Sequence, residues 1–146
     1  MILWRHADAK PGSPDDEREL TARGLAQATR VAAWLNRHLP DDAVVLASPA
    51  RRAQQTARAL NREMLTVADL GTASDAARLL KAAGWPDAGG HVVIVGHQPT
   101  LGEAVAWTLS GSRQGWALRK AALVWLQGSA GRSRAELYAA ITPELA

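Results

Sequence analysis

Two histidines and a set of arginines stand where short apolar runs end. Arg5-His6 closes the run Ile2-Leu3-Trp4. Arg51-Arg52 follows residues 43–47 by way of Ser48-Pro49-Ala50, and Gly96-His97 follows residues 91–95. An arginine beside an imidazole sets a permanent cation with a rigid fork of donors next to a nitrogen that acts as nucleophile or acid–base near neutral pH. Gathered round one pocket, Arg5 and Arg52 would hold phosphoryl oxygens by bidentate hydrogen bonds. One histidine would attack phosphorus in line and carry the phosphoryl group. The other, when protonated, would donate to a phosphoryl oxygen, a charge that the neighbouring phosphate favours. A metal centre is the rival arrangement. His6 and Asp8, at i and i+2, share a face of a continued strand and with His97 would form a two-histidine, one-carboxylate set. Arg5 and Arg52 would then press cations against the ion, so no metal is expected.

These residues reach one pocket only if the elements before them are parallel strands. Residues 2–4, 43–47 and 91–95 are short, apolar and closed by turn residues, the pattern of buried strands. Between them run helical patterns. Thr21 is placed to cap a helix whose stripe is Leu25, Ala28, Ala32, Leu35 and Leu39, ended by Pro40-Asp41-Asp42. Ser48 at N-cap and Pro49 at N1 start a second helix, to about Met64, with Ala53, Thr56, Ala57 and Leu60 inward. Ser74 caps a third through Ala83, with Ala77, Leu80 and Trp85 inward. A fourth follows Pro99 to about Leu109. Residues 65–70 read as a short strand or an irregular crossing, and residues 118–126 as a strand with Lys120 on its exposed side. Residues 128–133 read as a turn, and residues 135–141 as an edge strand or a short helix. Strands alternating with helices predict an α/β fold with a mainly parallel (mixed) central sheet flanked by helices in three layers. In such sheets ligands bind beyond the carboxyl ends of the strands, where Arg5, His6, Arg52 and His97 stand.

Composition narrows the classes. The chain has 146 residues, enough for one domain over 1–146 with a real core. No apolar run approaches the ~20 residues that span a membrane. Met1 leads directly into the first strand, which leaves no room for a signal peptide. With no cysteine, disulfides and thiolate metal sites are excluded. A cytoplasmic monomer is the simplest expectation. Net charge is +3, with 14 Arg against 3 Lys. The arginines are scattered at helical spacings, without a basic block or aromatic interleaving, so nucleic-acid binding is not expected. His38 sits near a helix C-terminus and fits a dipole role.

Four stretches together resemble the histidine phosphatase superfamily. They are Arg5-His6-Ala7, Arg18-Glu19-Leu20-Thr21-Ala22-Arg23-Gly24, Ser48-Pro49-Ala50-Arg51-Arg52-Ala53-Gln54-Gln55-Thr56, and Val95-Gly96-His97-Gln98-Pro99. Each is weak alone, but four in order with short spacers are specific, and they are most similar to the small bacterial phosphohistidine phosphatases. The resemblance implies a phosphoglycerate-mutase-like fold without the lid insertion, and no cofactor. It implies His6 as nucleophile, with Arg5, Arg52 and His97 binding the phosphoryl group, Arg51 facing solvent, and Arg18 and Gln98 contributing to substrate binding at the rim. Larger members carry, between the second Arg and second His motifs, an insertion that supplies a lid and an acidic donor. Here 44 positions separate Arg52 from His97, so an open, shallow pocket is expected, suited to a phosphorylated protein side chain such as a phosphohistidine domain. Alkoxide departure needs a general acid, whereas a phosphoramidate is protonated on nitrogen and leaves more easily. Asp69 and Asp8 are the candidate donors. The rival readings are a phosphatase of small phosphate esters and a non-catalytic phosphate-binding module.

Overall fold

The computed structural model describes residues 1–128, 132 and 134–146. Most of the turn expected over residues 128–133 lies outside the described residues. Ten elements carry the fold: β1 (Ile2–Arg5), α1 (Ala22–His38), β2 (Val44–Ala47), α2 (Arg51–Arg58), β3 (Leu65–Thr66), α3 (Ala76–Ala82), β4 (Val92–Gly96), α4 (Thr100–Ser110), β5 (Leu123–Gln127) and β6 (Glu136–Ile141). The strands form one six-stranded mixed sheet in the order β3-β2-β4-β1-β5-β6. β1, β2, β3 and β4 run parallel, while at one side β5 pairs antiparallel with β1 and β6 antiparallel with β5. The parallel part is the α/β arrangement expected from the alternating pattern.

The strand residues alternate between two cores because successive side chains point to opposite faces. Ile2, Trp4, Val45, Val93 and Val95 pack with Ala28, Val31, Leu35, Ala53 and Ala57 of α1 and α2. Leu3, Leu46 and Ile94 pack on the other face with Leu79, Leu80, Leu101 and Val105 of α3 and α4. Burial on both faces explains why β1, β2 and β4 read as continuous apolar runs rather than alternating ones. Register between β1 and β4 sets Arg5 opposite Gly96, and that between β2 and β4 sets Ala47 opposite Val95. The three strands therefore end together, which delivers Arg5-His6, Ser48 and His97 to one edge.

Several boundaries differ from the sequence expectation, each for a local reason. α2 starts at Arg51 with Ala50 as its N-cap, because the Ser48 hydroxyl is occupied by the Ala50 amide and by His97. It ends at Arg58, well before Met64, where Asn61 adopts a left-handed conformation (φ 52°) that a helix cannot continue through. α3 is capped by the Asp75 carboxylate, which accepts from the Arg78 amide at 2.9 Å, rather than by Ser74. This rotates Ala76 inward and leaves Ala77 exposed. In α1 the buried stripe is Ala28, Val31, Ala32 and Leu35, and Leu25 is 51% exposed. β5 begins only at Leu123, because Ala121 is left-handed (φ 59°) and turns the chain before it. Residues 136–141 form an edge strand, not a helix. Among the described residues no helix is long and apolar enough to cross a membrane.

Candidate active site

His6 leaves the end of β1 with its backbone still in the sheet, its amide donating to the Gly96 carbonyl at 3.0 Å. Its ring is oriented by one bond: Nδ1 lies 2.8 Å from the Ala7 carbonyl. A carbonyl only accepts, so Nδ1 carries the proton and Nε2 carries the lone pair. Nε2 in turn accepts from Nε of Arg52 at 3.3 Å. Burial is the main influence that pushes the His6 imidazole down to about 3, joined by the nearby charges of Lys120, His97 and Arg52. The ring is therefore neutral at pH 7, as a nitrogen nucleophile must be.

His97, at the end of β4, is held in the complementary sense. Nδ1 faces Nη2 of Arg52 at 3.5 Å, and a guanidinium only donates, so Nδ1 is the unprotonated nitrogen. The other nitrogen, Nε2, donates to the Ser48 hydroxyl at 2.7 Å. Burial, then the charge of Arg52, brings His97 down to about 4. The two rings lie 5.2 Å apart between centroids and are tilted by 55°. They are 4% and 5% exposed, and Arg52 is 3% exposed.

Arg52 reaches this edge from the first turn of α2. Its Nε and Nη2 side faces the two histidines, while its end is held by Asp15. Several motif residues of α2 serve as clamps. The Thr56 hydroxyl accepts the Ala7 amide at 3.0 Å and donates to the Arg52 carbonyl at 2.7 Å. Gln55 accepts the Leu20 amide at 2.7 Å, and the Gln54 side-chain amide donates to the Ser48 carbonyl at 2.6 Å. These bonds tie α2 to β1, to the segment before α1 and to the end of β2. Arg51, one position away, is exposed and paired with Glu19.

The structure thus brings His6, Arg52 and His97 into contact, with Arg5 next to His6 at the end of the same strand. Arg5 donates from Nη1 to the Leu118 carbonyl, and its Nε is buried without a hydrogen-bond partner among the described residues. Arg18 stands at the rim, donating from Nε to Asp15 at 2.8 Å and from Nη1 to the Lys10 carbonyl at 3.1 Å. Both ends of the Gln98 amide are taken by backbone groups: Nε2 donates to the Trp116 carbonyl, and Oε1 accepts the Gly102 amide. Asp8 turns to the start of α1, where its carboxylate accepts from the Thr21 hydroxyl at 2.7 Å. Asp69 lies on a 3-10 turn after β3 and bonds Ser74 through its backbone carbonyl. Among the described residues no three His, Cys, Asp or Glu side chains are grouped to hold a metal ion.

Three residues escaped sequence reasoning. Asp15 and Ser48 touch Arg52 and His97 directly. Lys120 lies among the site charges rather than on an exposed strand face. Ser48 carried a signal, as the first residue of a matched motif, but it reads equally well as a helix cap. His6, Arg52 and His97 are nearly fully buried, and Asp15, from the segment before α1, lies against the end of Arg52.

Two strand-end histidines, a buried arginine edge between them and a mainly parallel sheet behind them place a cationic, anion-suited cluster at the carboxyl edge of an α/β sheet. The match to known proteins narrows the class. Residues 1–71 match the family model of the histidine phosphatase superfamily (branch 1). An uncharacterised protein of Picosynechococcus sp. is 32% identical over 168 residues, covering 99% of this chain and 96% of that one. The structure of a Nakamurella multipartitia protein assigned as phosphohistidine phosphatase SixA is 28% identical. It superposes with a TM-score of 0.77 over 97% of this chain and 95% of that one. A protein histidine phosphatase SixA complexed with tungstate shares the fold at 22% identity, with a TM-score of 0.77 over 98% and 97% of the two chains. The chain belongs to the histidine phosphatase superfamily.

Proposed function

We propose that residues 1–146 act as one histidine phosphatase domain, a metal-independent phosphatase that works through a phosphohistidine intermediate on His6. The observation that carries this reading is the pairing of a single lone pair, on Nε2 of His6, with the buried side-on edge of Arg52 that also meets His97. Two parallel N–H groups on that edge match two phosphoryl oxygens, and the nucleophile lies beside them.

In the first step the Nε2 lone pair attacks phosphorus, the N–P bond forms, and the bond to the leaving group breaks. The proton on Nδ1 stays on its Ala7 bond and spreads the charge that the ring gains. Arg5, Arg52 and His97 hold the equatorial oxygens. The phosphoryl dianion favours a proton on Nδ1 of His97, which then becomes a donor. In the second step water attacks phosphorus, the P–N bond breaks, and its electron pair returns to Nε2. Orthophosphate leaves with the water oxygen, and the proton of the water goes to solvent.

The favoured substrate is a phosphohistidine side chain of a signalling or phosphotransfer protein. Its imidazole departs with a proton already on its ring, so no strong acid is needed. Asp15, the carboxylate nearest Arg52, fits this choice. Hydrogen bonding from Arg52 holds its carboxyl below the usual range, which makes it a poor acid for an alkoxide. Arg18 and Gln98 shape the rim on which the substrate protein would rest.

The test is intact-protein mass after brief incubation with phosphoramidate, quenched in alkali or in acid. Wild type is expected to carry a phosphoryl adduct that survives alkali and is lost in acid, and His6→Ala is expected to carry none. Hydrolysis that persists in His6→Ala without an adduct would exclude the covalent route. Turnover of an aryl phosphate but not of a phosphohistidine domain would assign the site to small esters.

A further inference from the structure

We propose that Lys120 is a further phosphoryl-binding residue of this site, its ammonium meeting the same oxygens that Arg5 and Arg52 hold; the proposal rests on the phosphoryl reading above. Lys120 belongs to the five residues that precede β5, and this segment is bound to the end of β1 on both sides of it. The Ala121 amide donates to the His6 carbonyl at 3.2 Å, the Arg5 amide to the Ala122 carbonyl at 2.9 Å, and the Trp4 indole to the Ala121 carbonyl at 2.9 Å. Arg5 also reaches the Leu118 carbonyl through Nη1. The segment is thus anchored on the very residues that hold the nucleophile.

The backbone supports a specific placement. Ala121 is fully buried and left-handed, with φ of 59°. For an alanine that conformation is strained, and such outliers persist where surrounding contacts over-determine them. Here the turn draws Lys120 out of the run that would otherwise continue β5 outward.

The charges around Lys120 are those of an anion site. Arg5 from β1, Arg18 from the segment before α1 and Arg52 from α2 all act on its ammonium. Asp8 pulls the other way more weakly than these cations, and its carboxylate is already bonded to Thr21. His6 and His97 feel Lys120 in return. Among the described residues Lys120 forms no ion pair. A half-buried ammonium among three guanidinium groups, without an acid of its own, is stabilised by a multiply charged anion that touches them all. Burial, then the charge of Arg5, lowers it to about 8, so its charge is present at pH 7 and fades as pH rises toward 9.

The test measures inorganic orthophosphate binding by calorimetry at pH 7 and pH 9 for wild type, Lys120→Met and Lys120→Arg, each checked for a cooperative melting transition. At pH 7, Lys120→Met is expected to bind phosphate about tenfold more weakly than wild type. Between pH 7 and 9 wild type is expected to lose affinity, whereas Lys120→Arg, whose guanidinium stays charged, shows no comparable loss. Equal affinity of wild type and Lys120→Met at pH 7 would overturn the proposal. So would parallel pH dependence of wild type and Lys120→Arg, a comparison that holds even if Lys120→Met fails to fold. Phosphate binding that depends on Lys120 without turnover of any phosphoryl donor would defeat the phosphatase reading and leave Lys120 in its role.

Discussion

Asp15 grips Arg52 end-on. Its carboxylate accepts from Nη2 at 2.8 Å and its backbone carbonyl accepts from Nη1 at 2.6 Å, while the Nε side of the same guanidinium faces His6 at 3.3 Å. The other carboxylate oxygen accepts from Arg18 at 2.8 Å. One residue, 37 positions away in the chain, thus fixes the plane of the guanidinium that the proposed mechanism assigns to the phosphoryl oxygens.

Loosening that grip should affect kinetics before stability. Positioning errors of about 1 Å cost on the order of 100-fold in rate. Asp15→Asn is therefore expected to lower kcat/KM between tenfold and 100-fold on any phosphoryl substrate, with KM raised. Arg18→Ala, acting through Asp15, should show a smaller effect in the same direction. Steady-state kinetics at pH 7 decide this, and wild-type values in Asp15→Asn would mean that packing alone orients Arg52.

Ser48 holds the tautomer of His97. Its hydroxyl is the only partner that the Nε2 proton finds among the described residues. Loss of a buried acceptor costs about 1–3 kcal/mol, or roughly 10- to 100-fold in rate if the ring must be reoriented in the transition state. Ser48→Ala is expected to reduce kcat by that factor while the His6 adduct still forms. Rapid-quench measurement of adduct formation and decay would reveal an unaffected kcat and so dismiss the role.

Gly24 allows α1 to start against the backbone of Asp8. A methyl group there would lie 2.0 Å from the Asp8 carbonyl oxygen, which is backbone and cannot swing aside. Gly24→Ala should destabilise the fold by about 1–3 kcal/mol, the range for forced overpacking, and should disturb both the Thr21–Gly24 bond that caps the helix and the Asp8–Thr21 bond beside it. Urea denaturation gives the difference directly, and an unchanged midpoint would show that the helix shifts without cost.

Acid should unfold the protein through its two site histidines. Their folded values of about 3 and about 4 lie below the ordinary 6.5, so below pH 6.5 the unfolded chain binds protons that the folded state refuses. Stability is then full above pH 6.5 and falls progressively as pH drops toward 4 and on to 3. The loss is on the order of a few kcal/mol across this window. Urea midpoints at pH 7 and pH 4.5 measure it. A His6→Asn, His97→Asn double variant should show a flatter slope, and an equal slope would assign the acid sensitivity elsewhere.

The sequence by itself was informative where structure is locally encoded. The apolar runs before Arg5-His6 and before His97 can be read as buried strands without knowing their neighbours, and the parallel α/β plan follows from their alternation with amphipathic segments. Thr21 as a cap is also local, since its hydroxyl accepts the Gly24 amide three residues on. Even here short-range rules misled where two local solutions compete. Ser48 has the chemistry of a helix cap, and Asp75 replaces Ser74 by one position.

Tertiary structure alone decided the rest. Asp15 meets Arg52 across 37 positions and Ser48 meets His97 across 49. No spacing rule links such residues, because their meeting depends on β2 and β4 being neighbours and on the segment before α1 folding back across the strand ends. Lys120 is the clearest case. An alternating run predicts an outward side chain, but the left-handed backbone of Ala121, a residue with no propensity for it, breaks the strand directly after the lysine, whose charge is felt by His6 and His97. That conformation is held by bonds to Trp4 and His6 more than a hundred positions away, and only the folded chain contains them.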